Sequence, residues 1–156
     1  MRVIRSVKSI QQFIKKAKLA GKTVGFVPTL GALHDGHRSL LRRCRRENDI
    51  VVLSIFVNPE QFGPKEDFAK YPRREPADKK LAKKEKVDII FIPTAKEMYP
   101  AGYLTYVEVE RMTQGLCGRS RPGHFRGVTT VVGKLLNIVM PDVLYLGRKD
   151  AQQAAV

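Results

Sequence analysis

Residues 24–37 read VGFVPTLGALHDGH, and a helix-like run follows at once. Val24, Gly25, Phe26 and Val27 form an apolar strand that breaks at Pro28, enters a Gly-containing loop and delivers His34 and His37 three residues apart. In a parallel α/β sheet this handover from strand to helix is where ligands bind, because the loop and the helix N-terminus present unpaired N–H groups and partial positive charge. Residues at i and i+3 share a helix face, so both imidazoles can address one anion. Gly36 between them removes a side chain that would block close approach. The segment therefore predicts a nucleotide phosphate site. Two other readings stand beside it: a histidine pair hydrogen-bonded to local backbone, or a pair of metal ligands. No Cys or carboxylate lies at a spacing that completes a metal site.

Outward from this stretch, apolar strands alternate with helical patterns, which predicts an α/β fold with a doubly wound parallel sheet. Residues 9–20 read as a first helix, with Ser9 and Gln12 spaced as a capping box and Gly21 as its stop. A helix is expected over 36–47. The nearly continuous apolar run 50–57 (IVVLSIFV) suits a strand buried on both faces. Residues 58–71 form a long loop at the end of that strand, where function often resides. Further along, a basic helix over 76–85, a strand at 88–92, a connector at 93–102 and a strand at 103–109 are expected. A Gly/Arg loop over 115–127, a central apolar helix over 128–139, a strand at 143–146 and a helix from 149 complete the pattern. There is no repeat and no linker, so residues 1–156 read as one domain, and the last helix stops inside an element.

The chain has 156 residues and is 43% hydrophobic, enough for a real core. No apolar run approaches the ~18–20 residues of a membrane span, so no membrane is called as partner. The basic N-terminus lacks the apolar core and cleavage site of a secretory signal. Its apolar positions Ile10, Phe13, Ile14 and Ala17 share one helix face, which assigns it to the domain rather than to a transit peptide. Cys44 and Cys117 have no metal or redox spacing and suit a reducing cytoplasm. The net charge of +14 draws on Arg38, Arg42, Arg43, Arg45 and Arg46, and on Lys79, Lys80, Lys83, Lys84 and Lys86. Such a balance fits polyanions, nucleotides or acidic small molecules, or simply a solvated basic surface. No aromatic-interleaved basic strand or nucleic-acid motif is present, so nucleic acid is not called as a partner.

Three further clusters can carry chemistry. Asn58 and Gln61, in NPEQF at the end of the 50–57 strand, offer donors and acceptors without charge, which suits a hydroxyl-bearing substrate; an Asn-Pro turn is the plainer reading. Arg121 and His124 lie in GRSRPGHFRG (118–127), an anion-binding loop or a charged surface. Gly147, Arg148, Lys149 and Asp150 follow the last strand and open a helix, with Gln153 on the face of Asp150. Gly147 permits close backbone approach, Lys149 can meet a phosphate, and Asp150 can accept from a ribose or cap the helix. Every cluster follows a strand or precedes a helix, so all four can converge on one crevice.

PTLGALHDGH (28–37), SIFVNPEQF (54–62), YPR (71–73), SRPGHFRGV (120–128) and GRKDAQQ (147–153) resemble, in this order, the motifs of the pantoate–β-alanine ligase family. HDGH alone marks the wider HxGH nucleotidyltransferase superfamily and fits an enzyme acting on another small substrate. The resemblance implies a Rossmann-like N-terminal domain holding ATP, accompanied by Mg2+. It implies that (R)-pantoate is adenylated with release of pyrophosphate, after which the amine of β-alanine displaces AMP. Leu30, Gly31, Ala32, Leu33, His34, Asp35, Gly36 and His37 would hold ATP, with His34 and His37 on its phosphates and His37 at the family's proton-donor position. Gly147, Arg148, Lys149 and Asp150 would form the second ATP-binding segment. Gln61 and Gln153 would hold pantoate, and Arg121 and His124 would flank the pantoate and β-alanine sites. A homodimer is also implied. Arg148 stands where the family has Gln or Glu, and Leu30 where it has Met. A later Ser-Ser-Arg segment and a C-terminal lid domain lie beyond Val156 in the family pattern, so the chain reads as truncated before them, and an inactive nucleotide-binding fragment is an alternative.

Overall fold

Strands and helices alternate along the chain as the apolar periodicity predicts. In the computed structural model, which describes residues 1–63, 66 and 68–156, the order begins with β1 (Arg2–Ile4), α1 (Val7–Leu19), β2 (Val24–Thr29), α2 (Asp35–Glu47) and β3 (Ile50–Ile55). After a 3-10 turn at Pro59–Gln61 come α3 (Glu75–Lys84), β4 (Ile89–Phe91) and the short helices α4 (Ala95–Met98) and α5 (Cys117–Ser120). The long α6 (His124–Val139), β5 (Val143–Leu144), a 3-10 turn at Arg148–Asp150 and α7 (Ala151–Ala155) follow.

The strands form one parallel sheet in the order β1-β4-β3-β2-β5. Alternation within the strands divides the core between its two faces. Phe26 and Val52 pack with Ile10 and Ile14 of α1 and Leu135 and Ile138 of α6. Val27, Val51 and Leu53 pack on the other face with Leu41 and Cys44 of α2 and Ala82 of α3. The sheet is thus doubly wound, and all six residues of β3 are buried, as its unbroken apolar run requires. From β2 the chain winds through β3 to β4, then returns across the sheet to place β5 on the opposite side of β2. Strand order therefore reverses between β2 and β5, and the loops that follow these two strands open on the crevice where such folds bind ligands.

Several boundaries differ from expectation for local reasons. The strand does not break at Pro28 but continues to Thr29. Val24 and Phe26 face β5, accepting from Asp142 and Tyr145, so Pro28 faces the same side, beyond the last β5 residue. Its missing N–H leaves no ladder bond unmade. Helix α1 starts at Ser6, not Ser9: the Ser6 hydroxyl accepts from the Ser9 N–H at 3.2 Å. Residues 103–109 form no strand, because α6 engages their backbone: Val107 donates to Thr130 Oγ1 (3.0 Å) and accepts from Thr129 (2.5 Å). The expected loop 115–127 contains α5, and α6 begins inside it, after Gly123 turns the chain with φ +81°. In the long loop 58–71, Phe62 meets Phe68 and Tyr71 edge-on at 5.4 and 5.8 Å, while Pro64, Lys65 and Asp67 lie outside the described residues. The short β1 was not anticipated; it adds an edge to the sheet beside β4.

The arginine cluster of α2 is largely structural. Arg38 and Arg42 grip the buried Glu85 at 3.0 and 2.8 Å, holding its carboxyl below the usual range, and Arg45 reaches Asp88 at 2.7 Å.

Candidate active site

The loop after β2 is folded by a carboxylate from the neighbouring helix. Gly31 and Ala32 both take positive φ, +90° and +51°. Asp78 of α3, 3% exposed, accepts from the N–H groups of Ala32 (3.0 Å) and Leu33 (2.8 Å). A Cβ on Gly31 would stand 3.2 Å from the same carboxylate and 3.0 Å from Ile55. The resulting turn delivers His34 as the N-cap of α2.

His34 and His37 cap the helix reciprocally. His34 Nδ1 accepts from the Gly36 N–H at 3.1 Å, and the His34 N–H donates to His37 Nδ1 at 3.3 Å. The expectation of a pair bonded to local backbone is therefore met, and it serves the anion-binding reading. With both Nδ1 atoms accepting, each neutral ring carries its proton on Nε2, as an outward donor. The rings stand 4.1 Å apart and can address one ligand. Gly36 is required by His34 itself, since a Cβ there would lie 2.9 Å from the imidazole. Burial lowers the pKa of His37; His34 and Lys149 lower it further, against Asp78 and Asp150.

Asp150 joins the other clusters to this one. Its charge also acts on Tyr71, whose pKa rises through burial and then through Asp78 and Asp150. It acts as well on His124, whose pKa is lowered mainly by burial, with Gln61, Glu66 and Asp150 opposing. The charge of Asp150 thus reaches groups at the start of α2, in the loop after β3 and at the start of α6. Lys149 reaches Asp150 at 3.6 Å and is otherwise exposed.

Gln61 is almost fully buried. His124 binds its carbonyl oxygen through Nδ1 at 2.9 Å and accepts at Nε2 from Arg121, also at 2.9 Å, so its neutral form carries the proton on Nδ1. Arg121 is in turn clamped by both oxygens of Glu66, at 2.7 Å for one of them. Arg121 and His124 thus act within the protein as a bracket between Gln61 and Glu66. Gln153 is half-buried and its side chain makes no hydrogen bond among the described residues, whereas its neighbour Gln152 ties α7 to Cys117, Met112 and Gly115.

Sequence reasoning missed Asp78, Glu66 and Tyr99. Asp78 carried a signal: it shares the buried face of α3 with Ala82, and an acid on the apolar face of a lysine-rich helix needs a partner. Glu66 and Tyr99 gave none, because their partners are 55 and 41 residues away.

The arrangement has close relatives. The family model for pantoate–β-alanine ligase matches residues 2–156. Pantothenate synthetase of Heliobacterium modesticaldum is 60% identical over 156 residues, 100% of this chain and 56% of that protein. The Moorella thermoacetica pantothenate synthetase is 56% identical over 100% of this chain and 55% of its own. Among solved structures, pantothenate synthetase from Thermus thermophilus superposes with a TM-score of 0.92 at 47% identity, over 98% of this chain and 54% of that one. The pantoate–β-alanine ligase of Francisella tularensis, complexed with beta-gamma ATP and beta-alanine, gives 0.94 at 43%, over 99% and 59%. The chain spans little more than half the length of the curated relatives it matches. It belongs to the pantoate–β-alanine ligase family.

Proposed function

We propose that this chain binds ATP and (R)-pantoate for the adenylating half of a pantoate–β-alanine ligase reaction. The observation that carries the reading is the strand order: β5 pairs with β2 where the order reverses, so the loop that leads to His34 and His37 and the turn Gly147 to Asp150 follow neighbouring strands, and the Asp150 charge acts on His37. The Nε2–H groups of His34 and His37, the positive end of the α2 dipole and the Lys149 ammonium suit the phosphates. The loop Leu30 to Leu33 and the turn Gly147 to Asp150 would lie along the nucleotide. Gln61 and Gln153 would hold the hydroxy acid, with Arg121 and His124 bracketing Gln61. A pantoate carboxylate oxygen attacks the α-phosphorus, and the bond to pyrophosphate breaks. The β-alanine nitrogen then attacks the acyl carbon, loses a proton and expels AMP.

Mg2+ would arrive on the phosphates rather than in a protein cage. Among the described residues no three His, Cys, Asp or Glu side chains stand together as a metal cluster, while the Asp150 carboxylate is exposed to such a complex. A cytoplasmic homodimer completes the reading; among the described residues no helix is long and apolar enough to cross a membrane.

Pantoate-dependent exchange of labelled pyrophosphate into ATP tests the proposal. Exchange that requires pantoate supports it, and exchange indifferent to pantoate overturns it in favour of another small substrate. His37→Ala is expected to abolish exchange while leaving the far-UV circular dichroism unchanged.

A further inference from the structure

Gln61 is restrained at its side chain as well as its backbone, through a residue no solvent reaches. Asn58 is 0% exposed. Two backbone groups of one-way polarity fix its orientation. The Gly127 carbonyl can only accept, so the Asn58 atom 3.1 Å from it is Nδ2. The Glu60 N–H can only donate, so the atom 3.3 Å from it is Oδ1. The Tyr99 hydroxyl, 2.7 Å from Oδ1, is therefore a donor to Asn58. Nδ2 also lies 3.2 Å from Gln61, which must meet it with Oε1. The Gln61 NH2 is thereby turned away from Asn58 and makes no hydrogen bond among the described residues, although Gln61 is only 7% exposed.

The Tyr99 ring is itself immobilised, with Phe56 at 6.3 Å, Tyr103 at 4.9 Å and the Lys134 ammonium 5.3 Å from its centroid. Burial raises its pKa, which keeps the hydroxyl a donor. At Gly127, a Cβ would stand 2.1 Å from the Glu60 carbonyl oxygen and 2.6 Å from the Gln61 nitrogen, so α6 is pressed against this turn and Gln61 has no room to retreat.

We infer that Tyr99 is a positioning residue, which through Asn58 locks Gln61 with its NH2 presented to the crevice as a hydrogen-bond donor. The consequence is selectivity. An unrestrained glutamine turns either end to a ligand, whereas this one offers its NH2, which pairs with a ligand oxygen that has a free lone pair. A hydroxyl or carboxylate oxygen qualifies, and an ammonium group does not. Resting on the pantoate reading above, this reserves the spot for the hydroxy acid and excludes the amine of the second substrate.

Tyr99→Phe keeps the packing and removes the donor. Two readouts on the 156-residue chain separate the positioning claim from the ligand assignment. In the ligand-free protein, the Asn58 side-chain NH2 protons should exchange slowly by 15N-resolved NMR, and about tenfold faster in Tyr99→Phe, the equivalent of one hydrogen bond. In calorimetric titrations, (R)-pantoate should bind about tenfold more weakly to the variant, with ATP affinity within about twofold of the parent. Exchange and pantoate affinity both within about twofold of the parent would overturn the inference, as would ATP affinity falling in step with pantoate. If the parent binds no pantoate while exchange accelerates as expected, the ligand assignment fails and the positioning stands. Should Tyr99→Phe not fold, the parent protein carries the test: Asn58 side-chain NH2 protons that exchange as fast as those of an unprotected amide overturn the inference, whereas slow exchange supports it.

Discussion

Replacing Asp78 by Asn should unfold the nucleotide loop before it unfolds the protein. The Asp78 carboxylate accepts two backbone N–H groups, from Ala32 at 3.0 Å and Leu33 at 2.8 Å, in a site where it is 3% exposed. Asparagine has the same shape but only one acceptor oxygen, so one of the two N–H groups then faces an NH2. A hydrogen bond to a charged group contributes about 1.5–3 kcal/mol, and a donor left unsatisfied costs a similar amount, so a direct cost of about 3 kcal/mol is expected. Part of it is recoverable. Ala32 holds a φ of +51° that its neighbours impose, and release of such strain returns about 1 kcal/mol or more as the loop relaxes. The net loss of about 2 kcal/mol lowers the melting temperature by about 4–8 °C for a chain of this size. The relaxed loop no longer delivers the His34 cap in register, so ATP affinity should fall at least about tenfold, measured by calorimetric titration beside urea unfolding. Stability within about 0.5 kcal/mol of the parent, together with unchanged ATP binding, would show that Asp78 does not hold the loop.

Further outcomes follow from the same geometry. Gly127→Ala should destabilise by about 3 kcal/mol or more in urea, because its Cβ would meet backbone rather than a yielding side chain; a loss under about 1 kcal/mol contradicts that packing. Gly36→Ala drives a methyl to within 2.9 Å of the His34 ring and should weaken ATP binding more than it weakens the fold, which titration and thermal melting compare directly. Acid should destabilise the protein well before its carboxylates titrate. The pKa values of His37 and His124 are depressed mainly by burial, so the unfolded chain takes up their protons first. Their contribution is complete above the unfolded value near 6.5 and is lost as pH falls through it toward the folded values, with a slope of at most about 1.4 kcal/mol per pH unit for each proton. Urea midpoints between pH 7.5 and 5.5 should fall with pH, and less steeply in His37→Gln; a flat profile would count against burial of the neutral rings.

The sheet and its winding were legible because each central strand carries its own burial pattern: the unbroken apolar run of β3 and the 3.6-residue face of α1 mean the same thing in any context. The HDGH site was legible for a similar reason, since its strand, turn and helix are contiguous. The 103–109 segment was misread because its alternation suits a strand, while its backbone bonds are taken by Thr129 and Thr130, more than twenty residues away. The bracket on Gln61 was hidden for the same physical reason. Arg121 and His124 were identified as cations for a ligand, yet their partners in the structure are Glu66 and the Gln61 carbonyl, contacts that only tertiary folding creates. The arginines of α2 hinted at a polyanion, whereas Glu85 and Asp88 engage three of the five.

The proposed crevice draws four separated segments around ATP and a hydroxy acid. Backbone amide shifts of the 15N-labelled chain decide whether it does, with ATP added first and (R)-pantoate second. ATP should move the signals of Gly31 to His37 and Gly147 to Asp150, and pantoate should then move Gln61 and Gln153 along with the Gln61 side-chain NH2. Shifts scattered over the lysines of α1 and α3, with the loops after β2 and β5 unmoved, would contradict it.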